Sequence, residues 1–406
     1  MSKKISLGIA IALVLLTAAA SVAITMSVST GIYNKLIADL PGRAQMYSNM
    51  QELDELVRKE YYGKIEDNFL NSEISAGYIK GLNDVNSKYM TAEQYNDYKA
   101  DLYGTTSSIG IKPALDTESG SIYIVYVYNN SPAKSSGLQS GDRITAIENE
   151  AVTKDNYSSM VAKLQGTALS SVNITYQRDG ATQTVNVVKT KICQTVFYQN
   201  FGTTGYIRIS DFYKATPDEL AKAISALSKE GAKNLILDVR GTKTGLTEYA
   251  AEALDKLVPL ASEGIGAVAK IENASGEVIE TFTSDAIDCA LPMAVLTNSE
   301  TSGPAELFAC DLRDFGKAQI IGVKTNGTGT MSKIFELKDG SAVLLTIGKI
   351  TPYKSECYDG NGISPDYEVS LSKNINFELL QTADDEQLQF AINLFSNNSQ
   401  QNNQGL

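Results

Sequence analysis

The residues whose types and spacing could do chemistry cluster between Val295 and Lys333, where hydroxyl and lysine side chains stand close together in the sequence. A serine hydroxyl next to a neutral lysine amine can attack a peptide carbonyl, because the amine takes the proton of the hydroxyl. The chain contains no histidine. Mechanisms that use Ser-His-Asp, Cys-His or histidine-bound zinc are therefore excluded, and a lysine would have to act as the base.

The same stretch predicts the elements that would position such groups. An apolar strand at Met293–Leu296 is followed by a polar turn at Asn298–Gly303. Gly303 as N-cap, Pro304 at the first helical position and Glu306 soon after predict a helix that ends at Gly316. A strand then follows over residues 318–323, and a glycine-rich loop over residues 325–329.

This arrangement resembles the C-terminal processing peptidases, or tail-specific proteases, which are serine proteases with a Ser-Lys pair. That family writes the helix start as S-A-S-A-S-E and the later loop as T-F-G-K-G-x-V-Q. With Glu306 on the family's glutamate, the nucleophile falls on Gly303, the lysine base on Thr328 and the glutamine on Ser332, without a gap. The resemblance therefore implies that both catalytic side chains are missing.

One fallback nucleophile remains, because Ser302 directly precedes Gly303 and Lys324 or Lys333 could serve as its base. A shift of one residue at a helix start rotates a side chain by about 100°. We therefore expect the Ser302 side chain to point away from the site. The resulting prediction is a catalytically degenerate protease, a scaffold or decoy; the alternatives are an active endopeptidase that uses Ser302 and a purely structural envelope protein.

Composition limits the partners. The net charge of -12 and the isoelectric point near 4.7 argue against nucleic-acid binding, which needs clustered basic residues. The four cysteines, at positions 193, 289, 310 and 357, have no metal-ligand spacing and are expected to be buried thiols. No metal or other cofactor is predicted, and the oligomeric state is left open.

The N-terminus predicts a membrane anchor. Lys3 and Lys4 precede an apolar run from Ile5 to about Val28. That run is longer than the roughly 7 to 15 residues of a signal-peptide core, so an uncleaved signal anchor is favoured, with the body of the protein outside the cytoplasm. Cleavage after Ala23 is the alternative. From Pro41 the chain is polar with a helical period, and an apolar stripe there is expected to face a core; its members are Met46, Met50, Leu53, Val57 and Tyr61.

Residues 105–192 predict a small β-rich domain with one helix near residues 154–164 and a hairpin turn at Asp179-Gly180. Ser131-Pro-Ala133 and the glycines that follow make it similar to a PDZ domain of the kind these proteases carry. The resemblance implies binding of peptide or protein C-terminal tails as an added strand, with the carboxylate held by backbone amides. The matching loop consists of Ser108, Ile109, Gly110 and Ile111.

From Thr203 onward strands and helices alternate, which predicts an α/β core with a largely parallel sheet. The family resemblance sharpens this expectation to a crotonase-like protease core. Asp238-Val-Arg240 and the residues after it match the family's D-L-R-N-N-P-G-G, in which backbone amides stabilise an oxyanion. Only Gly245 of the glycine pair is retained, so the oxyanion site is expected to be altered. A simple pairing of Asp238 with Arg240 at the strand end is favoured over a catalytic role.

The predicted organisation is thus a signal anchor (1–30), a helical N-terminal region (31–104), an inserted PDZ domain (105–192), the protease-like core (193–375), a C-terminal helix (376–395) and a disordered Asn/Gln-rich tail (396–406).

Overall fold

The computed structural model describes residues 40–104, 106–192, 194–259, 267–285, 288–372, 376–380 and 382–403, with isolated positions at 17, 21, 25 and 26. Cys193 and almost all of the apolar run at residues 5–28 lie outside the described residues. Within the described part, no helix combines the length and the apolar character that crossing a bilayer requires.

The first unit ends at Ile74, and from residue 40 onward its described part contains α1 (Leu40–Glu60) and the first half of α2 (Asp67–Lys80). The expectation of a core-facing stripe on α1 is wrong for this chain, because Met50 and Leu53 are exposed. The helical period shows which residues share a face, but it does not show whether another element covers that face.

The second unit begins at Ser75 and contains a compact β-rich region. Its elements follow β1 (Lys88–Met90) and α3 (Ala92–Leu102), and they are β2 (Ser107–Ser108), β3 (Ile111–Leu115), β4 (Ile122–Val127), α4 (Pro132–Ser135), β5 (Arg143–Ile147), β6 (Glu150–Ala151), α5 (Tyr157–Lys163), β7 (Gln165–Gly166), β8 (Ser171–Arg178), β9 (Ala181–Val188) and β10 (Thr190–Lys191). The main sheet has the order β3-β4-β5-β8-β9, and β10-β2-β7 forms a smaller one. The hairpin at Asp179-Gly180 is as predicted, since both residues have positive φ.

The remaining strands and helices form the α/β core. They are β11 (Val196–Phe201), β12 (Thr204–Ile209), α6 (Thr216–Lys229), β13 (Asn234–Asp238), α7 (Thr247–Asp255), β14 (Ala267–Glu272), β15 (Val278–Thr283), β16 (Met293–Thr297), α8 (Pro304–Asp314), β17 (Ala318–Gly322), β18 (Thr330–Glu336), β19 (Ala342–Pro352), β20 (Tyr367–Glu368), a 3-10 turn (Phe377–Leu379) and α9 (Glu386–Asn403). The sheet β11-β12-β13-β16-β17-β20 is parallel from β12 onward, as predicted.

This parallel sheet is buried on both faces, which explains its nearly continuous apolar strands. Leu235 and Leu237 of β13 face the large core shared with α6, α7 and α8. Ile236, between them, faces the other way and packs with Leu388 and Ala391 of α9. Because the carboxyl ends of β13 and β16 meet at one edge, the loops after Asp238 and after Thr297 lie next to each other.

A second sheet, β1-β19-β14-β15 with β18 paired to β19, lies beside the end of the glycine-rich loop. At the C-terminus, helix α9 extends to Asn403. The expectation of a structureless tail is therefore wrong for residues 396–403. The sequence argument relied on Asn and Gln content, but these residues continue a helix already fixed by its packed first half.

Candidate functional site

Gly303 occupies the position that the family resemblance assigns to the nucleophile, directly before α8. Its backbone has φ 60° and ψ −118°, a conformation that L-residues other than glycine rarely adopt. A Cβ atom added there would meet no other atom within 4 Å, so the site has room for a side chain. Glycine adopts this backbone conformation without strain. Because it has no side chain, it also provides no nucleophilic atom at this position.

Glu306 joins the helix start to the glycine-rich loop. This carboxylate is fully buried, and its Oε2 accepts hydrogen bonds from the Gly303 amide at 3.0 Å and the Thr328 amide at 2.7 Å. Its Oε1 accepts from the Thr325 hydroxyl at 2.5 Å and the Gly327 amide at 2.7 Å. A single side chain therefore brings the expected nucleophile and base positions together. The sequence placed Glu306 in the helix start, but gave no signal that it also binds the loop.

Ser302 does not point away from this site, so the expectation from the rotation argument is wrong. Its Oγ donates a hydrogen bond to Thr328 Oγ1 at 2.8 Å, and Thr328 Oγ1 donates to Asn326 Oδ1 at 3.0 Å. The physical reason is that Ser302 precedes the helix, and the positive φ of Gly303 breaks the helical rotation. The hydroxyl of the residue before the nucleophile position thus contacts Thr328, which stands at the base position.

The lysines considered as substitute bases are both exposed, and neither lies on α8 or within the glycine-rich loop at residues 325–329. Lys324 follows β17, and Lys333 lies on β18. Ser332, at the family's glutamine position, is also on β18, where its hydroxyl lies 3.5 Å from that of Thr346. None of these three side chains has a recorded contact with Ser302 in the described part of the chain.

The loop expected to form the oxyanion site is held by internal bonds. The Gly241 amide donates to Asn298 Oδ1 at 2.8 Å. Thr242 is buried, and its carbonyl oxygen accepts from the Ser302 amide at 3.0 Å. An oxyanion site needs N–H donors, whereas this contact presents an acceptor to the segment that carries Ser302. Gly245 approaches Phe212 so closely that an added Cβ would lie 2.3 Å from the Phe212 carbonyl oxygen.

Asp238 and Arg240 pair at the end of β13, as favoured, within a larger buried network. Arg240 binds Asp238 and also Asp385 at the start of α9, at 2.6 and 2.7 Å. Arg208 binds Asp238 at 3.1 Å. Burial alone would raise the pKa of Asp238, but the charges of Arg240 and Arg208 outweigh it and lower that pKa to about 2. The network fixes the base of the loop, and no motif or period in the sequence pointed to Asp385.

In the PDZ-like loop, two of the three candidate carboxylate-binding amides are already engaged. The Ile109 amide donates to Leu164 O at 3.2 Å, and the Gly110 amide donates to Ser108 Oγ at 3.2 Å. Hydrogen-bonded pairs alternate along an antiparallel ladder, and Gly110 O accepts from Tyr128. The Ile111 amide therefore faces the outer edge of β3, the terminal strand in its sheet order.

The thiol prediction holds in part. Cys310 is buried, whereas Cys289 and Cys357 are half-buried, and these three described cysteines are free.

Comparison with known proteins agrees with this architecture. Residues 107–188 match the PDZ domain, and residues 203–369 match Peptidase family S41. The carboxy-terminal processing protease CtpA of Bacillus subtilis is 30% identical over 328 residues, which are 80% of this chain and 69% of that protein. A probable CtpA-like serine protease of Staphylococcus saprophyticus is 27% identical over 367 residues, which are 89% of this chain and 72% of that protein.

The chain therefore belongs to peptidase family S41, the family of the C-terminal processing peptidases, and carries a PDZ domain. Among solved structures, a Bacteroides fragilis protein described as an S41 protease has a TM-score of 0.57 at 19% identity, covering 85% of this chain and 96% of that chain. This similarity concerns the fold alone. The chain spans 66% of the length of a similar Staphylococcus aureus relative.

Proposed function

We propose that this chain is a catalytically inactive, membrane-anchored S41 protein that binds peptide C-termini outside the cytoplasm and acts as a scaffold or decoy. One observation carries the proposal. Gly303 occupies the position of the family's nucleophilic serine, and Thr328 occupies the position of its lysine base. The crotonase-like assignment of the core is part of the same proposal, and it is supported by the parallel sheet with helices on both faces.

Peptide hydrolysis by a Ser-Lys mechanism requires a hydroxyl and a basic amine within hydrogen-bonding distance, at roughly 3 Å. Ser302 offers the hydroxyl, but the group that accepts its proton is the Thr328 hydroxyl. A threonine hydroxyl is too weak a base to accept a proton near neutral pH. Glu306 cannot replace it readily, since its two oxygens already accept four hydrogen bonds.

The direct test is hydrolysis of an unstructured protein by the purified natural chain. No turnover is expected. The double variant Gly303→Ser with Thr328→Lys restores both family groups, and its activity would support the proposal. Turnover by the natural chain that disappears in Ser302→Ala would refute it. If the double variant folds but remains inactive, the altered loop after Arg240 also prevents catalysis.

The contact between Ser302 and position 328 favours a second candidate, an endopeptidase that uses Ser302. The single variant Thr328→Lys tests whether Ser302 or position 303 is the attack position, whereas the loss of natural turnover in Ser302→Ala separates the two candidates. If Ser302 stands at a usable attack position, Thr328→Lys should hydrolyse the substrate, and Thr328→Lys combined with Ser302→Ala should not. If only the variant with Gly303→Ser is active, the attack position belongs to residue 303. Thr330→Lys, two residues further along, is the matched control for adding a lysine.

For the PDZ domain, peptide binding is supported by the open edge of β3 and by the Ile111 amide that faces it. A carboxylate that occupies the whole loop must take the Gly110 amide from Ser108 Oγ. Ser108→Ala should therefore tighten binding of a free-acid peptide by about 2- to 12-fold, the equivalent of one net hydrogen bond of roughly 0.5–1.5 kcal/mol. Fluorescence anisotropy with free-acid and amidated peptides measures this. Equal affinity for both peptides would refute carboxylate binding.

The anchoring part of the proposal rests on the apolar run at residues 5–28 and on Lys3 and Lys4 before it. Protease added to intact cells should digest the body of the protein. A soluble product that begins at Ile24 would instead identify cleavage after Ala23.

A further inference from the structure

Helix α8 carries three potential metal ligands near its C-terminal end, whereas the catalytic position lies at its N-terminal end. Cys310, Asp311 and Asp314 each offer one sulfur or oxygen atom, and these atoms lie within 4.8 Å of one another. Cys310 is 1% exposed and Asp311 is fully buried, whereas Asp314 is half-buried and reaches solvent. The helix brings residues 310 and 314 onto one face, because residues four apart are neighbours on a helix. The cysteine spacing examined in the sequence could not reveal this group, since only one of its members is a cysteine.

Asp311 has an oxygen without a partner. Its Oδ1 accepts from the Tyr353 amide at 3.0 Å, but its Oδ2 is buried and has no hydrogen-bond partner among the described residues. The hydroxyl of Tyr358, which is 4% exposed and interacts electrostatically with Cys310 and Asp311, is in the same condition. A buried carboxylate oxygen without a hydrogen bond or a counter-charge is costly, so this place is suited to a cation.

The two carboxylates are held in place by the segment after β19. The Asp314 Oδ2 accepts from the amides of Lys354 and Ser355 at 3.0 and 2.6 Å, and its Oδ1 accepts from the Ser355 hydroxyl at 2.6 Å. Together with the Tyr353 amide on Asp311, three consecutive amides orient both side chains. Groups that orient metal ligands in this way commonly accompany a metal site and strengthen it.

We propose that Cys310, Asp311 and Asp314 bind a thiophilic divalent cation of the zinc type. One sulfur and two carboxylate oxygens suit zinc, which binds sulfur at about 2.3 Å and oxygen at about 2.0–2.2 Å. Ligands around a tetrahedral zinc are separated by roughly 3.3–3.8 Å, so these atoms, which lie within 4.8 Å of one another, need to close by at most about 1.5 Å when the ion enters. The thiol proton leaves to solvent as the Cys310–metal bond forms, and water at the Asp314 side completes the coordination. The ion joins α8 to the segment at residues 353–355.

The experiment uses the purified full chain, stripped with a chelator and titrated with Zn²⁺ or Co²⁺. One equivalent per chain should bind, and Co²⁺ should give the absorption band of a thiolate–cobalt bond. Cys310→Ala and Asp311→Asn should each weaken binding by more than about 10- to 100-fold, the loss caused even by removing a residue that only orients a ligand. Cys357→Ala is the control, because it removes a half-buried thiol outside the ligand group.

A thermal melt keeps the proposal testable if a variant folds poorly. Zn²⁺ should raise the melting temperature of the natural chain and of Cys357→Ala, but not that of Asp311→Asn. With chelator present, Asp311→Asn should melt at or above the temperature of the natural chain, since it removes a buried carboxyl group whose Oδ2 has no partner among the described residues. Zinc affinity unchanged in Cys310→Ala, a cobalt complex without the thiolate band, or a chelated Asp311→Asn that melts well below the natural chain would each overturn the proposal.

Discussion

Replacing Arg240 with alanine tests whether the buried ion network holds the core together. The guanidinium of Arg240 is fully buried, donates to Asp238 and to both oxygens of Asp385, and lies 4.6 Å from the centre of the Phe377 ring. Its removal leaves Asp238 with Arg208 and with the Tyr206 hydroxyl at 2.8 Å. Asp385 keeps the hydrogen bond from the Leu388 amide but loses its ion pair with Arg240.

The cost follows from this inventory. Breaking a buried ion pair by removing one partner destabilises by roughly 3–5 kcal/mol, because a charge is left uncompensated. For a domain of this size the melting temperature should fall by about 6–20 °C. Arg143→Ala is the matched control. Its ion pair with Asp116 has a similar N–O distance, 2.9 Å, but the arginine is half exposed. The loss of stability should therefore stay below about 1 kcal/mol.

Urea unfolding followed by circular dichroism measures both variants. Asp385→Ala in the Arg240→Ala background should recover part of the loss, because it removes the carboxylate that lost its partner. An Arg240→Ala protein no less stable than Arg143→Ala would show that the network contributes specificity rather than stability, and it would refute the reasoning above.

Two further outcomes can be measured on the same protein. Gly303→Ala should lower the free energy of unfolding by roughly 1–3 kcal/mol, because φ 60° is strained for alanine although space is free. The control is Gly77→Ala, which lies within α2 and has no close contact. It should not lower the free energy of unfolding in the same urea assay. The folded-state pKa of Asp238, about 2, lies below its usual value near 3.9, so its contribution of about 2.6 kcal/mol is complete above about pH 5 and is lost as pH falls through 2. The stability difference between the natural chain and Asp238→Asn should therefore shrink over that range, and a difference that grows on acidification would contradict the assignment.

Elements decided by local chemistry could be predicted from the sequence. Helix α8 begins at Pro304 and is closed by Gly316 with φ 69°, because the start and stop residues act on their own neighbours. The Arg240–Asp385 contact joins residues 145 positions apart, and no period or motif encodes such a pairing. The same holds for Glu306. Its place at a helix start could be predicted from the sequence, but its hydrogen bonds to the loop at residues 325–328 depend on tertiary folding.

The orientation of Ser302 shows how a correct local rule can give a wrong expectation. The rotation of about 100° per residue applies inside a helix, whereas Ser302 lies before the N-cap. The backbone at Gly303 therefore decides where the hydroxyl points, and it points to Thr328. From Thr328 the chain of hydrogen bonds continues to the amide oxygen of Asn326, which has no basicity near neutral pH. These hydrogen bonds give the Ser302 hydroxyl no basic partner, so under the proposed inactivity the group missing for attack through Ser302 is an amine at position 328 rather than a hydroxyl.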